Sequence, residues 1–232
     1  MSPTAAFRAR RGLVLATAAC LGLTGCAELA SIGGVATAPD LYSLSPKSTF
    51  ASDLPEVGAQ IVVEAPTADA SVNTDRIAIK PNPLQVKYFS GARWVDRAPL
   101  VVQRLMVESF ENTGKVAAVS QSSVGLRNDF TVITDLREFQ GELQQGAPVE
   151  GPDSKPVLAR VRLNIKIIQE PQGLIIGSQA FPAAVEATEP GMLAVANAFD
   201  EALGRAMRNA VEWTIRTIDA AEERRPARYP GY

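Results

Sequence analysis

The chain has 232 residues, 46% of them hydrophobic and 21% charged, with 23 basic against 25 acidic side chains. That is the range of a globular protein with a sizeable core, and the absence of any basic block argues against nucleic acid as a partner. There is no histidine, which removes the commonest general base, the commonest transition-metal ligand and the usual partner of a Ser or Cys nucleophile.

Both cysteines, Cys20 and Cys26, fall in the first 26 residues, where they can neither staple a fold nor build a metal site. Arg8, Arg10 and Arg11 form a cationic head without acids, followed by the apolar run from Gly12 to Thr24. This is a signal-peptide pattern, and as a helix the run would extend roughly 20 Å, short of the ~30 Å hydrocarbon core. It ends in Leu23-Thr24-Gly25-Cys26, which looks like a bacterial lipobox: a branched apolar residue three positions before the cut, a small one just before it, and a cysteine whose thiolate takes the lipid. Cys20 is the rival acceptor, but Thr17 stands where the lipobox wants Leu. The resemblance implies a diacylglyceryl and N-acyl lipid on Cys26 as the only attached group, with no other cofactor and no metal. It also implies sorting by the following residue, and Ala27, rather than Asp, points to the periplasmic face of the outer membrane. The mature chain is then 207 residues with a formal charge of −5.

Residues 26–39 carry the lipidated end and a small-residue tether that includes Gly33-Gly34. Leu41 to Pro46 alternates as a short strand, Lys47 to Val57 is a loop, and Ala59 to Glu64 is a second strand. Pro81-Asn82-Pro83 turns a hairpin whose arms are residues 73–80 and 84–89. Asp96 is placed to cap a helix carrying Val102, Leu105, Met106 and Phe110 and ending at Gly114. Lys115 to Val119 returns as a strand. In the long strand candidate from Phe130 to Leu143, strict alternation breaks, which predicts a bulge near Asp135. After a polar loop through Pro156, Val157 to Ile167 alternates cleanly, apolar on one side and Arg160, Arg162, Asn164 and Lys166 on the other. A turn at Gln172-Gly173 leads into residues 174–185 and completes a three-strand meander. Thr188-Glu189-Pro190 opens an amphipathic helix of about 28 residues with Val195, Phe199, Ala202, Ala206, Ala210 and Trp213 on its apolar stripe. Residues 219–232 read as a disordered tail. The expected fold is a single α/β (α+β) domain over residues 40–218, an antiparallel or mixed sheet with two main helices on one face.

No phosphate loop, dinucleotide fingerprint, nucleophile elbow or zinc motif occurs. The acid pairs Glu108/Glu111 and Asp200/Glu201 have the spacing of solvated helix faces, and Glu138 reads as the partner of Arg137 or of an arginine on the neighbouring strand. Two features remain as candidate partner contacts. One is the stripe of Arg160, Arg162 and Lys166, which is either the wet face of a strand or a surface for an acidic partner or lipid head group. The other is Trp94, which either staples the helix entrance to the core or, if exposed, marks a contact.

The lipobox, Leu41-Tyr42-Ser43-Leu44-Ser45-Pro46, Ile61-Val62-Val63, Thr74-Asp75-Arg76-Ile77, Val86 to Phe89, Arg93-Trp94, the meander and the final helix together resemble the ABC-type transport auxiliary lipoprotein family, which includes the lipoprotein of the paraquat-inducible transport system. The polar segment Thr67 to Asn73 departs from the family's Leu-bearing turn. The resemblance implies a non-enzymatic outer-membrane component of an MCE-type ABC system that moves lipids or other hydrophobic molecules across the periplasm. The implied partners are an MCE-domain periplasmic protein, an inner-membrane permease and an ATPase, with a homo-oligomeric ring as the matching assembly. The alternative is an outer-membrane assembly lipoprotein for barrel or lipopolysaccharide-export machinery.

Overall fold

The computed structural model describes residues 38–121, 127–143 and 156–224. Its strands are β1 (Asp40–Tyr42), β2 (Val57–Val63), β3 (Thr67–Ala68), β4 (Arg76–Asn82), β5 (Gln85–Trp94), β6 (Val116–Ser120), β7 (Phe130–Glu142), β8 (Leu158–Gln169) and β9 (Leu174–Glu186). Helices α1 (Ala98–Thr113) and α2 (Met192–Glu223) follow β5 and β9 respectively.

The sheet is mixed and forks at β7. Along one edge β7 pairs antiparallel with β8 from Phe130↔Gln169 to Glu142↔Leu158, and β8 pairs antiparallel with β9, the expected meander. Along its other edge β7 takes three strands in succession, all parallel: β2 beside Phe130–Val132, β3 beside Asp135–Leu136, and β4 beside Gln140–Glu142. One prong continues from β2 to β6. The other runs from β4 through the antiparallel β5 to β1, which lies parallel to β5. Opposite these partners, the register of β7 with β8 slips between Leu136 and Glu138. The bulge predicted near Asp135 therefore sits at Arg137.

Alternation on β8 puts Ala159, Val161, Leu163, Ile165 and Ile167 in the core, each at most 1% exposed. Both helices lie on that face. At about 1.5 Å per residue the 32-residue α2 is roughly 48 Å long, enough to run the length of the β8–β9 ribbon it packs on. Gly177 of β9 permits the closest approach: a Cβ there would stand 2.9 Å from two atoms of the Trp213 ring. Trp94, Phe139 and Phe199, from β5, β7 and α2, form a buried triangle with centroids 5.2–5.5 Å apart. These three rings tie the β4–β5 prong and β7 to the helix layer.

Residues 43–56 form a strap without regular structure, held against both helices. Ser45 N–H donates to Asp200 Oδ1 and Lys47 N–H to Ser109 Oγ, while Asn112 Nδ2 donates to the Lys47 carbonyl. Arg208 donates to the Thr49 carbonyl, Ala51 N–H to Glu212, and Arg216 pairs with Asp53. Leu44 and Leu54, each 5% exposed, plug the ends of the strap into the core.

Several boundaries differ from the sequence reading. Arg97, not Asp96, occupies the N-cap of α1 and makes no side-chain cap bond; Gly114 ends the helix in the left-handed region (φ 61°), as expected. Pro190 precedes α2, whose N-cap is Gly191. The helix continues past residue 218 to Glu223 because Ile218 and Ala221 are still buried on the sheet. The lipobox, Cys26, Ala27 and most of the predicted tether and tail lie outside the described residues.

Candidate functional site

The stripe of Arg160, Arg162 and Lys166 emerges on the sheet face away from the helices, because side chains on a strand alternate and the opposite set fills the core. Register decides what its charges meet. Arg160 Nε lies 2.6 Å from Glu142 Oε2 and Arg162 Nε 3.3 Å from Glu138 Oε2, both across the β7–β8 ladder. The bulge turns Arg137 outward, where its Nε pairs with Asp135 Oδ2 at 2.7 Å. The face is thus a lattice of alternating charges rather than a cationic strip. Two of the three stripe cations are spent on carboxylates of the adjoining strand.

Lys166 lines a cleft of about 420 Å³ on the same face, together with Thr67, Ile133, Asp135, Arg137 and Asn164. A cleft open on one side and lined by amide, hydroxyl and opposed charges can recognise a polar or zwitterionic surface. Among the described residues no cluster of three or more carboxylate or thiol groups is arranged to hold a metal. None of their helices is long and apolar enough to cross a membrane.

Trp94 is only 2% exposed and its ring faces Phe139 and Phe199. Its reading as a partner contact gives way to a packing role, because β5 directs the side chain under α2. The acid pairs are separately engaged on helix surfaces: Glu108 faces Arg104 at 3.8 Å, Glu201 pairs with Arg205 at 2.8 Å, and Asp200 holds the strap. The hydrogen bond from Arg205 lowers the pKa of Glu201, as that from Arg93 does for Asp75.

Sequence reasoning missed one surface feature, the tip of the β4–β5 hairpin. Leu84 is 99% exposed there and Val86 39%. The Pro-Asn-Pro turn was legible, but full exposure of the leucine after it depends on how far the hairpin projects beyond its neighbours.

Similar proteins come from several bacteria. The crystal structure of protein XCC0632 from Xanthomonas campestris superposes with a TM-score of 0.72 at 26% identity, covering 79% of this chain and 99% of that one. Another crystal structure matches at a TM-score of 0.58 and 11% identity over 76% of this chain, a likeness of fold. Protein bll6063 of Bradyrhizobium diazoefficiens is 23% identical over 210 residues, which are 89% of this chain; the chain spans about half (53%) of that relative's length. The family model described as the ABC-type transport auxiliary lipoprotein component matches residues 42–211.

Proposed function

The chain belongs to the ABC-type transport auxiliary lipoprotein family, and from that premise we propose that it is the non-enzymatic, outer-membrane end of an MCE-type ABC system that moves lipids or other hydrophobic molecules across the periplasm. The observation that carries this reading is the extent of the match: residues 42–211 run from β1 into α2 and take in every strand between them. The likeness is therefore to the whole folded unit and not to one motif.

In this reading Cys26, behind Leu23, Thr24 and Gly25, carries the lipid, and Ala27 directs the protein to the outer membrane. Multiple acyl chains contribute about 0.8 kcal/mol per buried CH₂, so attachment is effectively permanent. Residues 27–39 give the domain reach, and the domain grips the distal end of an MCE-domain protein whose permease and ATPase sit in the inner membrane. Copies arranged as a closed ring match a ring of MCE subunits and leave no heterologous interface unsatisfied. The polar face with Arg160, Arg162, Lys166 and its cleft is the surface offered to that partner.

The test is capture of the tagged, full-length protein after crosslinking in cells. An MCE-domain protein with its permease is the expected catch. Recovery of a barrel-assembly or lipopolysaccharide-export protein in its place would transfer the chain to the alternative reading. In the same cells, Cys26→Ser is expected to abolish incorporation of labelled palmitate and to release the chain from the outer-membrane fraction.

A further inference from the structure

The β4–β5 hairpin ends in Pro81-Asn82-Pro83-Leu84, a tip that is stiff for local reasons. Two prolines fix φ near −65°. The Asn82 side chain closes the turn from both sides, its Oδ1 accepting from Leu84 N–H at 3.1 Å and its Nδ2 donating to Gln85 Oε1 at 3.2 Å. Farther down the hairpin, the Arg76 guanidinium sits 3.8 Å over the Tyr88 ring, and the Tyr88 hydroxyl donates to the Ser71 carbonyl. A leucine held this firmly and left 99% exposed is not there for the core.

Its charged neighbours are two cations, Lys80 and Lys87, and one acid, Glu142. Lys80 and Lys87 flank the tip, and among the described residues neither makes an ion pair. The carboxylate beside Lys80 in register, that of Glu142, is already taken by Arg160 at 2.6 Å. An apolar point between free ammonium groups suits the phosphate-bearing surface of a bilayer, where the leucine enters the interface and the lysines stay at head-group level.

Chain direction favours the same occupant. β1 runs parallel to β5, so Asp40 lies on the side of β1 that faces the hairpin tip, and the chain enters the sheet from that end. The seven residues of β4 raise the tip roughly 20 Å beyond the level of β1. Thirteen residues separate Cys26 from Asp40; they reach about 45 Å extended and about 20 Å as a coil. The covalent length therefore lets the tip touch the membrane that holds the anchor, and tethering makes even a weak contact effective.

We propose that the β4–β5 hairpin tip is a second, reversible membrane contact, with Leu84 inserting into the lipid interface and Lys80 and Lys87 against its phosphates. The proposal deepens the lipid-anchor part of the functional reading, and its test is built to be independent of acylation. The mature chain, with Cys26→Ser and an N-terminal hexahistidine in place of the acyl group, is captured on nickel-chelating vesicles of phosphatidylethanolamine and phosphatidylglycerol. Gln85→Cys carries an environment-sensitive fluorophore, and Gln172→Cys at the opposite hairpin is the reference. The probe at 85 is expected to shift to the blue and to be quenched by nitroxide in the acyl region, while the probe at 172 stays aqueous. Leu84→Asp is expected to lower the docked-to-free ratio by at least about tenfold without changing the urea midpoint. Equal, water-like behaviour at both positions would overturn the proposal, whatever the fate of Cys26 in cells. A signal at 85 that grows only with protein density would assign the tip to a second copy and overturn it as well.

Discussion

Phe199→Ala is the sharpest test of how the fork is held together. Phe199 is fully buried between Trp94 and Phe139, which are each 2% exposed, with ring centroids 5.2 Å away in both cases. Truncation removes a buried ring that bridges α2, β5 and β7 and leaves a cavity those three elements cannot jointly close, so the cost is about 4 kcal/mol. Phe199→Leu keeps most of the apolar volume and loses mainly the two ring contacts, for about 1.5 kcal/mol. Urea unfolding followed by the emission of Trp94 and Trp213 reads both values, and a total stability of about 5–15 kcal/mol leaves the Ala variant measurable. A cost for Phe199→Ala below about 1.5 kcal/mol, or equal costs for the two variants, would refute the view that this triangle joins the β4–β5 prong to the helix layer.

Gly177→Ala places a Cβ 2.9 Å from the Trp213 ring and 3.1 Å from Thr217 Cγ2; it is expected to cost about 1–3 kcal/mol and to shift Trp213 emission in a Trp94→Phe background. An unchanged spectrum would show that the added methyl is accommodated without displacing the ring. The hydrogen bond and charge of Arg93, 2.8 Å away, hold the Asp75 carboxyl below its usual range, so the folded state binds that proton less readily than the unfolded chain. The resulting stabilisation is present above about pH 4, fades as the pH falls through the lowered value, and stays under about 1 kcal/mol because both groups are partly solvated. Arg93→Ala should return the Asp75 titration, followed by carboxyl NMR, to the ordinary range and narrow its stability gap from the parent in acid. Removing Arg162 or Arg160 is expected to cost about 1 kcal/mol, since their pairs are half-buried and partly screened by solvent, while weakening crosslinked capture of the partner. Capture that is unaffected with both removed would place the partner elsewhere.

What the sequence revealed tracked how local each feature is. The alternation of Val157 to Ile167 and the stripe of α2 were legible because one face of each buries its own residues. The bulge could be anticipated because Phe130 and Val132 fall out of phase with Phe139 along a single strand. The parallel partners of β7 could not, since β2, β3 and β4 reach it from separate parts of the chain and no local pattern encodes that choice. The charge lattice was hidden for the same reason: Arg160 and Arg162 look like a cationic stripe until the β7–β8 register sets Glu142 and Glu138 beside them. Asp96 is a competent capping type, yet Arg97 holds the cap position, where backbone geometry and Pro99 in the first turn suffice.

Force enters this domain at a defined place. Any pull on the N-terminal side arrives at Asp40, where β1 grips β5 through three parallel residue pairs. A load along the strand axis strains those bonds together, in shear, rather than opening them one at a time. If they yield, the chain pays out only as far as Ser45, whose N–H is held by Asp200, and the next fasteners at Lys47, Thr49, Ala51 and Asp53 divide the load between both helices. Releasing residues 40–44 lengthens the connection by about 15 Å while the sheet and its aromatic triangle stay intact. The short first strand and the strap behind it thus form a graded series of fasteners, the weakest of which can yield before the sheet does.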